Sequence, residues 1–210
     1  MKTEDLISAL ASDTLPHQSV GQRLVRALPV GTGVSLAAFV VFWGPRADIV
    51  AALSSATVLK TVLPLVLVAL AGLLAFALAH PGMRSGFRFA ALGLFAVVLA
   101  SAFSVAVARD GLPGLVGALA TPSLMVCLLS IPALALPFLG AAFWSLSAGA
   151  ALRPRLTGAA GGLMAGGLAA AVYSLYCDQD AALFVLPAYS VSIAAVAVLG
   201  ALAGPRLLKW

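Results

Sequence analysis

Charge is scarce in this chain. Of its 210 residues only 9% are Asp, Glu, Lys or Arg, against about a quarter in soluble globular domains. That scarcity excludes an ordinary soluble fold. A hydrophobic share of 62% and a mean hydropathy of +1.11 point instead to a polytopic membrane protein. Cysteine is nearly absent as well: Cys127 and Cys177 are too few for a disulfide scaffold or a cysteine-only zinc site, and neither belongs to a C-x-x-C motif. The two histidines, His17 and His80, read as loop residues rather than ligands. H-E-x-x-H, G-x-S-x-G and phosphate-loop signatures are all missing, so no enzymatic activity is expected. No charged residue falls deep in an apolar run, which argues against ion-coupled transport. Residues 1–26 lack an apolar core followed by a small-residue cleavage site, so the first apolar helix is expected to stay as an anchor.

What the chain has is a series of long apolar runs. Spanning a hydrocarbon core of about 30 Å takes about 20 helical residues. Six stretches meet that length: 27–43, 61–79, 89–108, 121–143, 157–176 and 182–203. The expected fold is all-α, a six-helix transmembrane bundle over 27–210 with short loops and no second domain. Pro132 and Pro137 predict a kink or an interrupted hydrogen-bond ladder in the fourth span. Ahead of the bundle, residues 1–26 form a short amphipathic segment. Thr3 reads as an N-cap, Glu4 and Asp5 suit the first turn, and Leu6, Ile7 and Leu10 share one face. A second amphipathic piece sets Val20, Leu24 and Val25 against Gln22, Arg23 and Arg26.

The net charge of +5 is a topological signal. With a cytoplasmic N-terminus, Lys2, Arg23, Arg26, Arg84, Arg88, Arg153, Arg155, Arg206 and Lys209 fall inside, leaving only Arg46, Lys60 and Arg109 outside. This is the positive-inside pattern; it places both termini in the cytoplasm and removes the case for direct nucleic-acid binding.

The fifth span is organised around Gly158, Gly162 and Gly166, a ladder of small residues that lets another helix approach to backbone contact. At about 100° per residue, Cys177 lies on nearly the same side as Gly166, facing the packed interior. Cys127 lies two turns into the fourth span from its outer end, so both thiols share an outer-leaflet depth. Three readings stay open: a disulfide, a soft cation held by both thiolates with Asp178, Asp180 or Tyr173 in support, or two small apolar side chains in a tight interface.

The opening K-T-E-D-L-I-S-A-L at 2–10, one Cys in the fourth helix and one at the end of the fifth, G-G-L-A-A-A-V-Y-S-L-Y-C at 166–177 and L-A-G-P-R-L-L-K-W at 202–210 together resemble the NrsF-like anti-sigma factors. These are six-helix bacterial inner-membrane proteins that hold an extracytoplasmic-function (ECF) sigma factor inactive. The resemblance spans the whole length. It implies that Thr3, Asp5, Leu6, Ile7 and Leu10 bind the sigma factor; the cytoplasmic segment is very short for an anti-sigma factor, so inner loops bearing Arg84, Arg88, Arg153 and Arg155 are expected to add to the contact. It also implies that Cys127 and Cys177 sense heavy-metal or oxidative stress, with no resident cofactor beyond a transient metal ion or a disulfide. The alternative functional reading is a small transporter or channel, suggested by the glycine-rich helices. A thiol oxidoreductase fits less well, since two isolated thiols could form one disulfide but not relay it.

Overall fold

The computed structural model describes residues 3–11, 18–54 and 56–208, and every regular element among them is helical. In chain order these are α1 (Thr3–Ala11), α2 (Val20–Phe42), α3 (Ile49–Ser54), a single 3-10 turn (Ala56–Val58), α4 (Leu59–Leu78), α5 (Gly86–Leu119), α6 (Ser123–Leu146), α7 (Pro154–Tyr173) and α8 (Ala182–Leu207). Six of them, α2 and α4 to α8, are long and apolar enough to cross a membrane. The expected class and the expected set of six spans are both present.

The boundaries differ in instructive places. The amphipathic piece expected before the first span is the first turns of α2 itself. A capping box starts the helix there: Ser19 Oγ accepts from the Gln22 amide at 3.2 Å, and Gln22 Oε1 accepts from the Ser19 amide at 3.1 Å. Of the expected apolar face, Val20 is buried against the bundle and Leu24 partly so, whereas Val25 is 74% exposed and points away from it. In α5 the helix continues past the expected loop, broken only at Gly111, whose φ of 72° is one that glycine adopts at little cost. Through Pro132 and Pro137, by contrast, α6 runs as one helix. Between those prolines, Ser35 Oγ of α2 donates to the Leu134 carbonyl at 3.1 Å.

At the centre lies α7, packed on α8, α4 and α6. Its glycines permit this. A Cβ at Gly162 would meet the Val196 carbonyl at 2.6 Å, and one at Gly166 would meet Ile193 Cα at 3.2 Å. At the crossing with α8, Gly158 faces Gly200 backbone to backbone, and Gly204 faces the Pro154 carbonyl. The α8 partner glycines are a second G-x-x-x-G at 200–204. α2 lies chiefly on α6, whereas α5 buries no residue and runs along the outside of α4 and α8.

These contacts fix the two ends. Val20, Ala79 and Gly149 meet at the end from which α2 starts. Trp43, the start of α4, the end of α7 and the start of α8 lie at the other, and the cysteines are there.

Candidate functional site

Cys127 projects from the second turn of α6, and Cys177 lies in the irregular turn just past α7, where its amide still bonds to the Tyr173 carbonyl at 3.1 Å. Both thiols are free and buried. They are in contact with each other, so the two sulfurs predicted to share a depth are also neighbours. The Cys127 thiol donates to the Tyr173 hydroxyl at 3.4 Å, and the ring of Tyr189 closes the far side at 6.3 Å from that of Tyr173. The Tyr189 hydroxyl is buried beside Cys177 and has no well-formed hydrogen bond among the described residues.

Above the thiols sits a charged clamp. Lys60, buried near the start of α4, donates to the Cys177 carbonyl and to Asp180 Oδ1, each at 2.5 Å. Arg46, in the turn after α2, donates to the same carbonyl at 3.1 Å, to Asp180 at 3.0 Å and to Asp48 at 2.6 Å. Its own amide bonds to the Leu175 carbonyl at 2.9 Å. The loop between α7 and α8 is thereby strapped to α2 and α4. Hydrogen bonds to Asp48 and then Asp180 raise the affinity of Arg46 for its proton, and the Arg46 bond lowers the Asp48 carboxyl. Burial pushes the Asp180 carboxyl up, but the bonds from Arg46 and Lys60 and the charge of Lys60 outweigh it and leave it below its ordinary value.

The same surroundings make Cys177 the acidic member of the pair. Its contact with Cys127 pulls it down; burial opposes this, and the Gln179 backbone and the Lys60 charge add to the fall, leaving the thiol at about 7. A thiolate is the nucleophile and the metal ligand, and of the two sulfurs Cys177 is the one held closer to that form. A cleft of about 260 Å³ lined by Pro122, Ser123, Val126, Tyr173, Tyr176 and Asp178 reaches it from outside.

Two sulfurs with this access can lose two electrons and two protons together to become a disulfide. They can equally exchange two protons for one soft cation. Asp180 is committed to the clamp and Tyr173 to Cys127, which leaves Asp178 on the cleft wall as the remaining carboxylate. No group of three His, Cys, Asp or Glu side chains converges among the described residues, so a metal here would rest on the two thiolates. A larger cavity of about 320 Å³ between α4, α5 and α8 is lined mainly by apolar side chains, with Lys60, Tyr189 and Ser190 as its polar members.

Ahead of the bundle in the chain, α1 carries Thr3, Asp5 and Ile7, all exposed, with Ile7 showing 58% of its surface. The side chains of Leu6 and Leu10, and all of His17, lie outside the described residues. His80 is satisfied locally, its Nδ1 at 2.8 Å from the Phe76 carbonyl and its ring 4.3 Å from that of Phe76. Sequence reasoning used Arg46 and Lys60 only as topology markers and so missed the clamp. The adjacent basic and acidic residues of G-P-R-A-D at 44–48 were the available hint.

This geometry defines an all-helical polytopic membrane protein with a pair of buried free thiols at one end of its bundle. Comparison with known proteins then gives the family. The family described as "NrsF: Negative regulator of sigma F" matches residues 10–210, and the chain belongs to it. It is 32% identical over 215 residues to the "Anti-sigma-F factor NrsF" of Caulobacter vibrioides (strain NA1000 / CB15N), covering all of both chains. It is 31% identical over 219 residues to the "Probable anti-sigma-F factor NrsF" of Azospira oryzae (strain ATCC BAA-33 / DSM 13638 / PS), again covering all of both. No solved structure matches significantly.

Proposed function

We propose that the chain is an anti-sigma factor of the bacterial inner membrane. It holds an ECF sigma factor at the cytoplasmic face and releases it when Cys127 and Cys177 react with heavy-metal ions or oxidants. Family membership and the printed names of both relatives support the anti-sigma reading. The contact between two free thiols at the end of the bundle opposite the start of α2 carries the sensing reading.

On the client side, α1 has nine residues, too few to be stable alone in water. Docking the Ile7 face into a groove on the sigma factor gives it the partner it lacks, in the helix-in-groove manner. The excess of Lys and Arg on one side of the spans supports a cytoplasmic position for this segment and an outer-surface position for the thiols. Cys177, the more acidic sulfur, reacts first. A two-electron oxidant accepts the electron pair as the sulfur–sulfur bond forms and two protons leave; a soft divalent cation instead displaces the two protons and bridges the thiolates.

The test uses membranes carrying the full chain with its sigma factor bound. Cadmium or diamide should release sigma from the wild type and leave it bound to the Cys127→Ser, Cys177→Ser variant. Equal release by both would remove the sensing role. Ile7→Asp should weaken retention by about tenfold or more; unchanged retention would remove α1 from the footprint.

A further inference from the structure

The thiols lie at one end of α2, the chain connects the other end of α2 to α1, and that one helix with its closing turn is bonded to the surroundings of both sulfurs. We infer that α2 is the transmission rod between the thiols and α1, with Trp43 and Arg46 as the positioning residues through which it registers the state of the cysteines. This inference rests on the sensing role proposed above.

Three observations support it. First, α2 is fastened to α6, the helix of Cys127, along its length. Ser145 Oγ donates to the Val20 carbonyl at 2.7 Å, Ser35 Oγ to the Leu134 carbonyl at 3.1 Å, and Trp43 Nε1 to Ser130 Oγ at 3.0 Å, the last only three residues from Cys127. A Cβ at Gly31 would meet the Pro137 carbonyl at 3.1 Å, so the two helices are in near-backbone contact between these bonds.

Second, α2 scarcely touches α7 along its length, yet the turn that ends it reaches the Cys177 segment directly. The Arg46 amide holds the Leu175 carbonyl at 2.9 Å, and its guanidinium holds the Cys177 carbonyl at 3.1 Å. Trp43 and Arg46 are three residues apart and each grips one cysteine-bearing segment. Drawing the sulfurs together, or placing a cation between them, changes the separation of those two segments. The four-residue turn 43–46 bridges that separation and must yield.

Third, the far end of α2 is the segment that leads to α1. Its capping box at Ser19 and Gln22 and the bonds of Val20 and Arg23 to Ser145 and Ser147 fix the first turn of α2 to the end of α6. α2 stays one helix through Pro29, which lacks only its own amide bond to the preceding turn, and its remaining bonded turns and its packing on α6 carry a shift at one end to the other.

The experiment compares wild type with Trp43→Phe and Arg46→Met, separately and together, in membranes with sigma bound. Thiol engagement is read as loss of maleimide labelling after diamide, and sigma release is read on the same samples. The expected result is labelling loss as in wild type with release reduced at least fivefold. Full release in the double variant would overturn the rod. If wild type itself releases sigma without any need for Cys127 and Cys177, the sensing reading fails first and takes the rod with it. Hydrogen exchange on the unmutated chain gives a second, variant-free reading. Diamide should alter amide protection in residues 19–28, and protection unchanged there while sigma is released would also overturn the proposal.

Discussion

The Lys60 ammonium and the Cys177 carbonyl oxygen lie 2.5 Å apart, a buried cation bonded to the backbone of one of the two buried cysteines. Lys60 also bonds to Asp180, and its side chain is only 6% exposed. Asp180 is therefore what makes burial of that charge tolerable.

Asp180→Asn should accordingly destabilise the fold by about 1–3 kcal/mol, the range for leaving a buried group short of its bond. Asp48→Asn should cost much less, because Asp48 is 58% exposed and meets Arg46 alone. Thermal unfolding in detergent, comparing the two variants, measures the difference. Equal losses would mean that the Lys60 pair is dispensable. Asp180 is held below its ordinary value, so the bonds it makes persist above that range and fail only as the pH falls through the lowered value.

Cys177 should show an alkylation profile displaced to low pH. Its thiol is held at about 7 instead of the ordinary 9.0. With iodoacetamide and readout by mass spectrometry, the Cys177 rate should be flat above that point and fall tenfold per pH unit below it. In Cys127→Ala the leading cause of the depression is gone, and the inflection should move upward. A wild-type inflection near 9 would show that the pair does not tune this sulfur.

The glycine crossing gives a sharp contrast. In Gly200→Ala the new methyl would collide with the Gly158 carbonyl, and α7 and α8 cannot separate without disturbing the turn that carries Cys177. A loss of about 1–3 kcal/mol is expected. Gly33→Ala, with nothing within 4 Å of the added carbon, should be neutral or stabilising, since alanine is favoured over glycine in a helix by about 0.5–1 kcal/mol. A matched pair of melting curves decides it.

How much of this was readable in advance depended on whether the signal was periodic or tertiary. Six apolar runs and the ladder at Gly158, Gly162 and Gly166 are local patterns, and α7 uses that ladder against α8. The partner glycines, Gly200 and Gly204, share the four-residue spacing and were legible by the same rule. Counting turns from the outer surface placed Cys127 and Cys177 at one depth. That they touch depends on α6 and α7 being neighbours, which spacing within either helix does not encode. Lys60 was the hardest. A lysine at the start of an apolar helix reads as a side chain reaching for the interface. Here it is buried because the loop after α7 folds over it, bringing Asp180 from 120 residues away.

The two tyrosines flanking the thiols should respond in opposite ways to loss of their hydroxyls. The Tyr173 hydroxyl accepts from Cys127 at 3.4 Å, so Tyr173→Phe leaves a buried thiol without its partner while preserving the shape of the core. A net loss of about 0.5–1.5 kcal/mol is expected. The Tyr189 hydroxyl is already buried without a well-formed bond, so Tyr189→Phe removes a desolvated polar atom and leaves no new orphan. That change should be neutral or mildly stabilising. Unfolding midpoints of the reduced protein in detergent measure both. A large loss from Tyr189→Phe would show that its hydroxyl has a firm partner in the folded protein, and the neighbouring Cys177 sulfur is the atom placed to be it.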